Sequence, residues 1–247
     1  MPVRFPIIDI HTHLWRTPEI GRQALAPRPN IVWTGTVQEH LDTMKSGGVE
    51  RAVVLLVTPT REMRERALRE RGSFGDPQWA DSSGLALDRK LLERMDRNNT
   101  WGCAMGLHNP QLIPFINVDP DLLAGQELRN YVRNRVAEGA RGVKLLPLQH
   151  HFHGDDRRLW PMYEYLEQTG LPVLSQSGAG GAVSPHTGDA WGRPIYFGAA
   201  AAAFPRLNFV LAHFGSGYTA DVLALADRHE RIHFDTSLIT ARVGESP

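Results

Sequence analysis

The sequence predicts an α/β fold of the barrel type, with a parallel sheet inside and helices outside. Three observations lead there. Short β-rich apolar runs alternate with amphipathic segments, the rhythm of βα units rather than of hairpins. The length, 247 residues, is ordinary for one α/β barrel domain. Several runs end in a polar side chain, as expected at the C-terminal strand ends where barrels carry their sites.

Seven strands are expected: Ile7 to His13, Arg51 to Val57, Leu112 to Val118, Gly142 to Leu146, Pro172 to Ser177, Leu207 to Phe214 and Arg231 to Thr236. In the first, "IIDIHTH", a period of two puts Asp9, His11 and His13 on one face and Ile8, Ile10 and Thr12 on the other. Between strands, Thr36 and Glu39 form a capping box for a helix that stops at Gly47-Gly48. Gln126 to Glu138 stops at Gly139, Trp160 to Thr169 at Gly170, and the alanine-rich Ala199 to Phe204 at Pro205. Residues 59–110 depart from the rhythm as an inserted helical segment within a single domain spanning 1–247. The segment holds "REMRERALRER", a Gly/Asp/Ser-rich stretch, a helix around Leu85 to Arg97 and then "NNTWGCAMGLHNP". It is expected either to cover the strand ends as a lid or to decorate the periphery.

Basic and acidic residues balance at 27 each, so the expected partner is a small molecule, with no nucleic acid and no membrane surface. The single Cys103 allows neither an internal disulfide nor a zinc ribbon. No basic-then-apolar leader opens the sequence and no apolar run approaches the roughly 20 residues of a span, so a soluble cytoplasmic protein is expected. "GAGG" at Gly178 to Gly181 lacks the spacing of a phosphate loop, and no Gly-x-Ser-x-Gly elbow is present.

The candidate chemistry lies at the strand ends. His11 and His13 end strand one, Lys144 lies on strand four, Gln176 ends strand five, His213 strand six and Asp235 strand seven. Burying such groups unpaired costs about 1–3 kcal/mol each, so they must meet one another, a ligand, an ion or water. His11 and His13 can reach one ion at about 2.0–2.1 Å, or be a buried pair satisfied by neighbours. Lys144 can hold a substrate carboxylate or pair with Asp9 or Asp235. Asp235 can act as ligand or base, or cap the following loop. His150, His151 and His153 in "LQHHFHGDD", and His186 in "SPHTG", are candidate substrate contacts, and Trp15 a candidate wall of an apolar pocket.

"IIDIHTH", "RGVKLLPLQ" with "DDRRLWPMYEYLEQTGLPVL", "GRPIYFGAAAAAFPRLNFVLAHFG" and "IHFDTS" together resemble the amidohydrolase-related metal-dependent hydrolases. The branch most resembled is that of aminocarboxymuconate semialdehyde decarboxylase. The resemblance implies a (β/α)8-type TIM barrel and one divalent metal, zinc first and manganese as the alternative. The family's ligands are the two strand-one histidines, a histidine ending strand five and an aspartate ending strand eight, with a strand-six histidine acting beside the metal. His11 and His13 match the first pair and His213 the strand-six histidine. Gln176 stands where the strand-five imidazole belongs, a neutral and weaker donor toward zinc.

Ten residues follow Ser237, too few for an eighth strand and closing helix. The expectation is therefore a barrel lacking the eighth strand, either a fragment or a seven-stranded form with an open seam that favours a homodimer. The implied activity is metal-activated attack of water on an amide or lactone, or nonoxidative decarboxylation, of a small carboxylate-bearing substrate. In that scheme His213 is the base. The alternative is a degenerate barrel that binds a small molecule or a partner chain without turnover.

Overall fold

The computed structural model describes residues 5–26, 32–72, 82–178 and 189–239. Seven strands, β1 (Ile7–Thr12), β2 (Val49–Leu55), β3 (Leu112–Asn117), β4 (Val143–Leu145), β5 (Val173–Ser175), β6 (Phe209–Leu211) and β7 (Ile232–Phe234), lie side by side in chain order. Each is parallel to its neighbour. The sheet curls into an incomplete barrel whose two edges are β1 and β7. Among the described residues each of these pairs on one side only.

The alternation of each strand separates two apolar layers. Val53, Leu55, Phe115, Leu174 and Ala212 form the inner cluster, with Ile113 and Val210 packed on it. Ala52, Val54, Leu112, Ile116, Val143, Leu145, Val173, Phe209 and Leu211 face outward into the larger core under the helices. Each fully buried side chain of this kind contributes about 1.5–3 kcal/mol. Inward-pointing residues one step further along the same strands therefore reach the C-terminal mouth.

β1 departs from a strict period of two. Asp9 pairs with Ala52 and Thr12 with Val54, so three steps along β1 oppose two along β2. The bulge leaves Asp9 on the outer side with Ala52, while His11 and His13 point inward. The expectation that Asp9 shares the histidine face is thereby corrected. Its charge acts instead on His40, whose pKa burial lowers and Asp9 pulls back up. Ile7, Ile8 and Ile10 are exposed at this free edge.

The helices are α1 (Pro18–Leu25), α2 (Val37–Gly47), α3 (Thr60–Glu70), α4 (Ser82–His108), α5 (Gly125–Ala137), α6 (Pro147–His150), α7 (Trp160–Thr169), α8 (Gly198–Ala203) and α9 (Thr219–Ala226). α2 begins as expected, with the Thr36 N–H donating to Glu39 Oε2 at 3.3 Å, and ends at Gly48 with φ of 70°. α7 has the expected bounds and ends at Gly170, φ 69°.

α4 differs. The helix expected to end near Arg97 continues through "NNTWGCAMGLH" to His108. Its glycines are there for packing rather than for breaking the helix. A Cβ on Gly102 would collide with Leu56, and one on Gly106 would lie 2.7 Å from Pro114 Cδ. Asn99 faces the same way, donating to Asn117 O at 2.7 Å and accepting from Asn117 N–H at 3.0 Å. α4 is thus the crossover helix packed along β3. α3 lies on it through Leu68, Leu87 and Leu91.

A candidate metal centre at the barrel mouth

His11 and His13 stand at the C-terminal end of β1, with ring centroids 5.2 Å apart and nearly perpendicular planes. His213 follows β6, and its ring centroid lies 5.0 Å from that of His11. Each imidazole uses Nδ1 toward an acceptor. His11 Nδ1 lies 2.7 Å from Asp235 Oδ2, His13 Nδ1 2.8 Å from Leu55 O and His213 Nδ1 3.1 Å from Ser237 O. A carboxylate and two carbonyls can only accept, so Nδ1 carries the proton on all three rings and Nε2 the lone pair. A histidine that ligates a metal almost always donates its other nitrogen to such a group.

The backbone at His213 is held in an unusual conformation. His213 has φ of 60° and Phe214 φ of 50°, two consecutive non-glycine residues in the left-handed region, at a cost of order 1–3 kcal/mol each. Asp235 compensates. Its Oδ1 accepts the His213 N–H at 2.9 Å, and its backbone oxygen accepts the Phe214 N–H at 2.8 Å. The same Oδ1 accepts from Ser237 N–H at 3.0 Å and Ser237 Oγ at 2.5 Å. Ser237 Oγ also lies 3.0 Å from His11 Nδ1 and 2.9 Å from His213 Nδ1. The loop-capping role foreseen for Asp235 is thus present together with its contact to His11.

Burial keeps the His11 and His13 imidazoles neutral. Burial pushes the pKa of His13 down to about 3, with neighbouring His11 and Lys144 adding to the effect. Burial likewise brings His11 down to about 4, against the hydrogen bond to Asp235. Burial of Asp235 alone would raise its pKa. The hydrogen bonds from His11 and Ser237 and the His213 N–H overcome it and hold the carboxyl below its usual range. At neutral pH the His11–Asp235 contact is therefore imidazole to carboxylate, and the His11 and His13 rings are in the form that binds cations.

Lys144, on β4, is 1% exposed. Burial lowers its pKa to about 7, while Asp235 pulls it back up. Of the two ion-pair partners considered for it, only Asp235 acts on it; Asp9 lies on the other side of the sheet. Gln176 is 5% exposed, and its Oε1 is buried without a hydrogen-bond partner among the described residues. An orphaned buried amide oxygen costs stability unless a donor or a cation reaches its lone pairs.

The remaining candidates have other neighbours or lie outside the described residues. Trp15 lays its ring against Gly35, whose missing Cβ makes the room. His150 is fully buried in α6 rather than in an exposed loop, with Nε2 3.1 Å from Thr58 O and 3.2 Å from Thr60 Oγ1. Thr60 also donates to Asp119, so the start of α3 is tied to the ends of β3 and β4. His151 and His153 stack on Trp191 at 5.5 and 4.6 Å. His186 and most of "GAGG" lie outside the described residues. The sequence reading missed Ser237, although a serine two residues after an aspartate is the pattern of an Asx turn.

The donor set fits a divalent cation. A metal about 2.0–2.1 Å from a ring nitrogen lies about 3.2 Å from the ring centroid, so two rings at a tetrahedral angle have centroids about 5.2 Å apart. The centroid spacings are 5.2 Å for His11–His13 and 5.0 Å for His11–His213. Among the described residues, His11, His213 and Asp235 also each bring a ligand-type atom within 4.8 Å of the others. A family model described as amidohydrolase matches residues 8–246. The chain belongs to the amidohydrolase family.

Solved structures agree on the fold. An uncharacterised TIM-barrel protein from Bordetella bronchiseptica superposes with a TM-score of 0.62 at 19% identity, over 94% of this chain and 75% of that one. A probable 2-pyrone-4,6-dicarboxylic acid hydrolase from Acinetobacter baumannii, with citric acid bound, gives 0.56 at 14% identity over 96% and 72%. A dihydroxybenzoic acid decarboxylase from Polaromonas sp., with manganese and the inhibitor 2-nitroresorcinol, gives 0.57 at 15% over 85% and 66%. No curated protein matches the chain. No helix among the described residues of this amidohydrolase is long and apolar enough to cross a membrane.

Proposed function

We propose that this amidohydrolase is a metal-dependent enzyme acting on a small carboxylate-bearing molecule, and that its reaction is nonoxidative decarboxylation. The observation that carries the metal dependence is the meeting of His11, His213 and Asp235 at the mouth with ligand-type atoms within 4.8 Å of one another, beside His13, with the Nδ1 of each of the three rings directed to an acceptor. His11 and His13 would hold the ion, zinc or manganese. A divalent cation bound there supplies a Lewis acid and acidifies water at neutral pH.

The chain's own residues supply the rest. Lys144 is buried, and its charge is felt at both strand-one histidines, which supports a role for it in attracting a substrate carboxylate. With a pKa of about 7, the same group can give or take a proton at working pH. The partnerless Gln176 Oε1 is an acceptor for a substrate hydroxyl or a neutral oxygen donor to the ion. Trp15 and His186 remain candidate substrate contacts. Decarboxylases of aromatic acids among the structural neighbours support this choice of reaction. The hydrolase neighbour supports a second reading, opening of a lactone by the same apparatus.

The test is metal analysis of the purified chain, followed by assays for CO2 release and lactone opening on a panel of small aromatic and unsaturated acids. Near-stoichiometric zinc or manganese is expected, lost together with activity in His11→Ala. A chain that takes up no divalent metal under replete conditions would instead be a barrel that binds without turnover.

A further inference from the structure

We propose that α3 is a gate on the C-terminal face of the barrel, which opens away from α6 as a unit, and that Thr60 is the latch that holds it shut. Access to the mouth, and not metal binding, is what the gate controls.

The place of α3 follows from the direction of α4. Leu112 N–H, at the start of β3, donates to Asn109 O at 2.8 Å, while Asn99 bonds to Asn117 at the end of β3. α4 therefore runs antiparallel to β3. Its residues 82–98 lie beyond the C-terminal strand ends, a length of about 25 Å along the helix axis at about 1.5 Å per residue. α3 packs on that projecting part through Leu68, Leu87 and Leu91. Arg64 joins them, pairing with Asp88 at 2.7 Å and with Asp121, in the loop after β3, at 4.0 Å. α3 also lies against α6, the turn that continues β4 beyond Lys144.

Two features make α3 separable from the barrel. Its apolar contacts form a cluster of their own, apart from the two that hold the sheet, so α3 can open without disrupting the barrel core. Its root is held by polar bonds instead. His150 Nε2 lies 3.1 Å from Thr58 O and 3.2 Å from Thr60 Oγ1, and the Thr60 hydroxyl donates to Asp119 Oδ2. With its proton committed to that carboxylate, the Thr60 oxygen can only accept, as Thr58 O does, so His150 Nε2 carries the ring proton. The Thr60 hydroxyl is thus the link between α6 and the loop after β3. The same tautomer leaves His150 Nδ1 bare, and that nitrogen is buried without a partner among the described residues. Opening α3 to water gives it a donor and lowers the cost of the open state.

The test uses the full chain without metal at pH 7. Hydrogen exchange read by mass spectrometry is expected to be at least about tenfold faster in α3 than in α5 and α7. Thr60→Val, which keeps the shape and removes the hydroxyl, is expected to speed exchange in α3 about tenfold more, with α5 and α7 unmoved. Leu146 ends β4 and is 2% exposed, so a thiol placed there by Leu146→Cys reads access to the mouth, and peptide mapping separates it from Cys103. Its labelling by iodoacetamide is expected to be slow, and about tenfold faster once Thr60→Val is added. Leu87→Ala loosens α3 from α4 without touching the latch, and is expected to give the same pattern should Thr60→Val fail to fold. Exchange in α3 no faster than in α5 and α7, or a rise that is equal in all three helices with either variant, would show that α3 opens only with the whole fold and would overturn the gate. Unchanged exchange in α3 with Thr60→Val would overturn the latch. Labelling at position 146 that is fast from the start, or unchanged when exchange in α3 rises, would overturn the place of α3 over the mouth. Zinc and manganese uptake are measured separately, so a chain that binds no metal overturns the metal-dependent reading and leaves the gate standing.

Discussion

The imidazole of His11 and the carboxylate of Asp235 meet at 2.7 Å where β1 and β7, the two edges of the sheet, come together without a backbone ladder among the described residues. Removing the carboxylate strands the ring N–H of His11, the His213 N–H and the Ser237 donors at once. Asp235→Ala is expected to cost about 2–4 kcal/mol, from losing acceptors for buried donors. Urea unfolding at pH 7 measures it, and a change under about 1 kcal/mol would show the seam to be held otherwise.

The buried bases give the metal-free protein a stability that rises with pH. Lys144 falls from 10.5 in the unfolded chain to about 7 in the fold, so the unfolded state binds more protons between those values and stability climbs from pH 7 to 10. His11 and His13, at about 4 and 3 against 6.5 unfolded, add stability that is present above pH 6.5 and lost as pH falls toward 4. Lys144→Met is expected to stabilise the fold at pH 7 by about 1–4 kcal/mol and to flatten the rise above it. Thermal melts across pH check this; an unaltered slope between pH 7 and 10 contradicts it.

At position 176 an imidazole binds zinc better than an amide oxygen. Gln176→His is expected to tighten zinc binding about tenfold or more, as read by competition with a chelating dye. Unchanged affinity would place residue 176 away from the ion.

The close approach of α4 to β3 makes its glycines sensitive. Gly106→Ala puts a methyl group 2.7 Å from Pro114 Cδ, and about 1–3 kcal/mol of overpacking is expected. A denaturant midpoint within error of wild type would show that the helix shifts freely.

Cys103 is buried on α4, and burial raises its thiol pKa to about 11. Labelling by a thiol reagent at pH 8 is expected to be slow in the folded protein and complete after denaturation. Fast labelling in native buffer would contradict the burial.

Periodicity and end signals were enough to read the seven strands in order and the stops at Gly48 and Gly170, because those signals are local. They did not reveal the single long helix α4. Gly102 and Gly106 look like breakers until Leu56 and Pro114 are seen against them, and packing overrides propensity there. Nor did a two-residue period anticipate the bulge that turns Asp9 outward, since register depends on the neighbouring strand.

At the site, residue identity alone determined that His11, His13, Lys144, Gln176, His213 and Asp235 sit at strand ends and need partners. Only the tertiary structure decided what those partners are. Asp235 and Ser237 are local to one another, but His11 lies 224 residues away from Asp235 in the chain, and no local pattern encodes that contact. Curling of the sheet brings its edges together, and with them His11, His213 and Asp235. That meeting depends on the path of the whole sheet in three dimensions, which spacing along the chain does not contain.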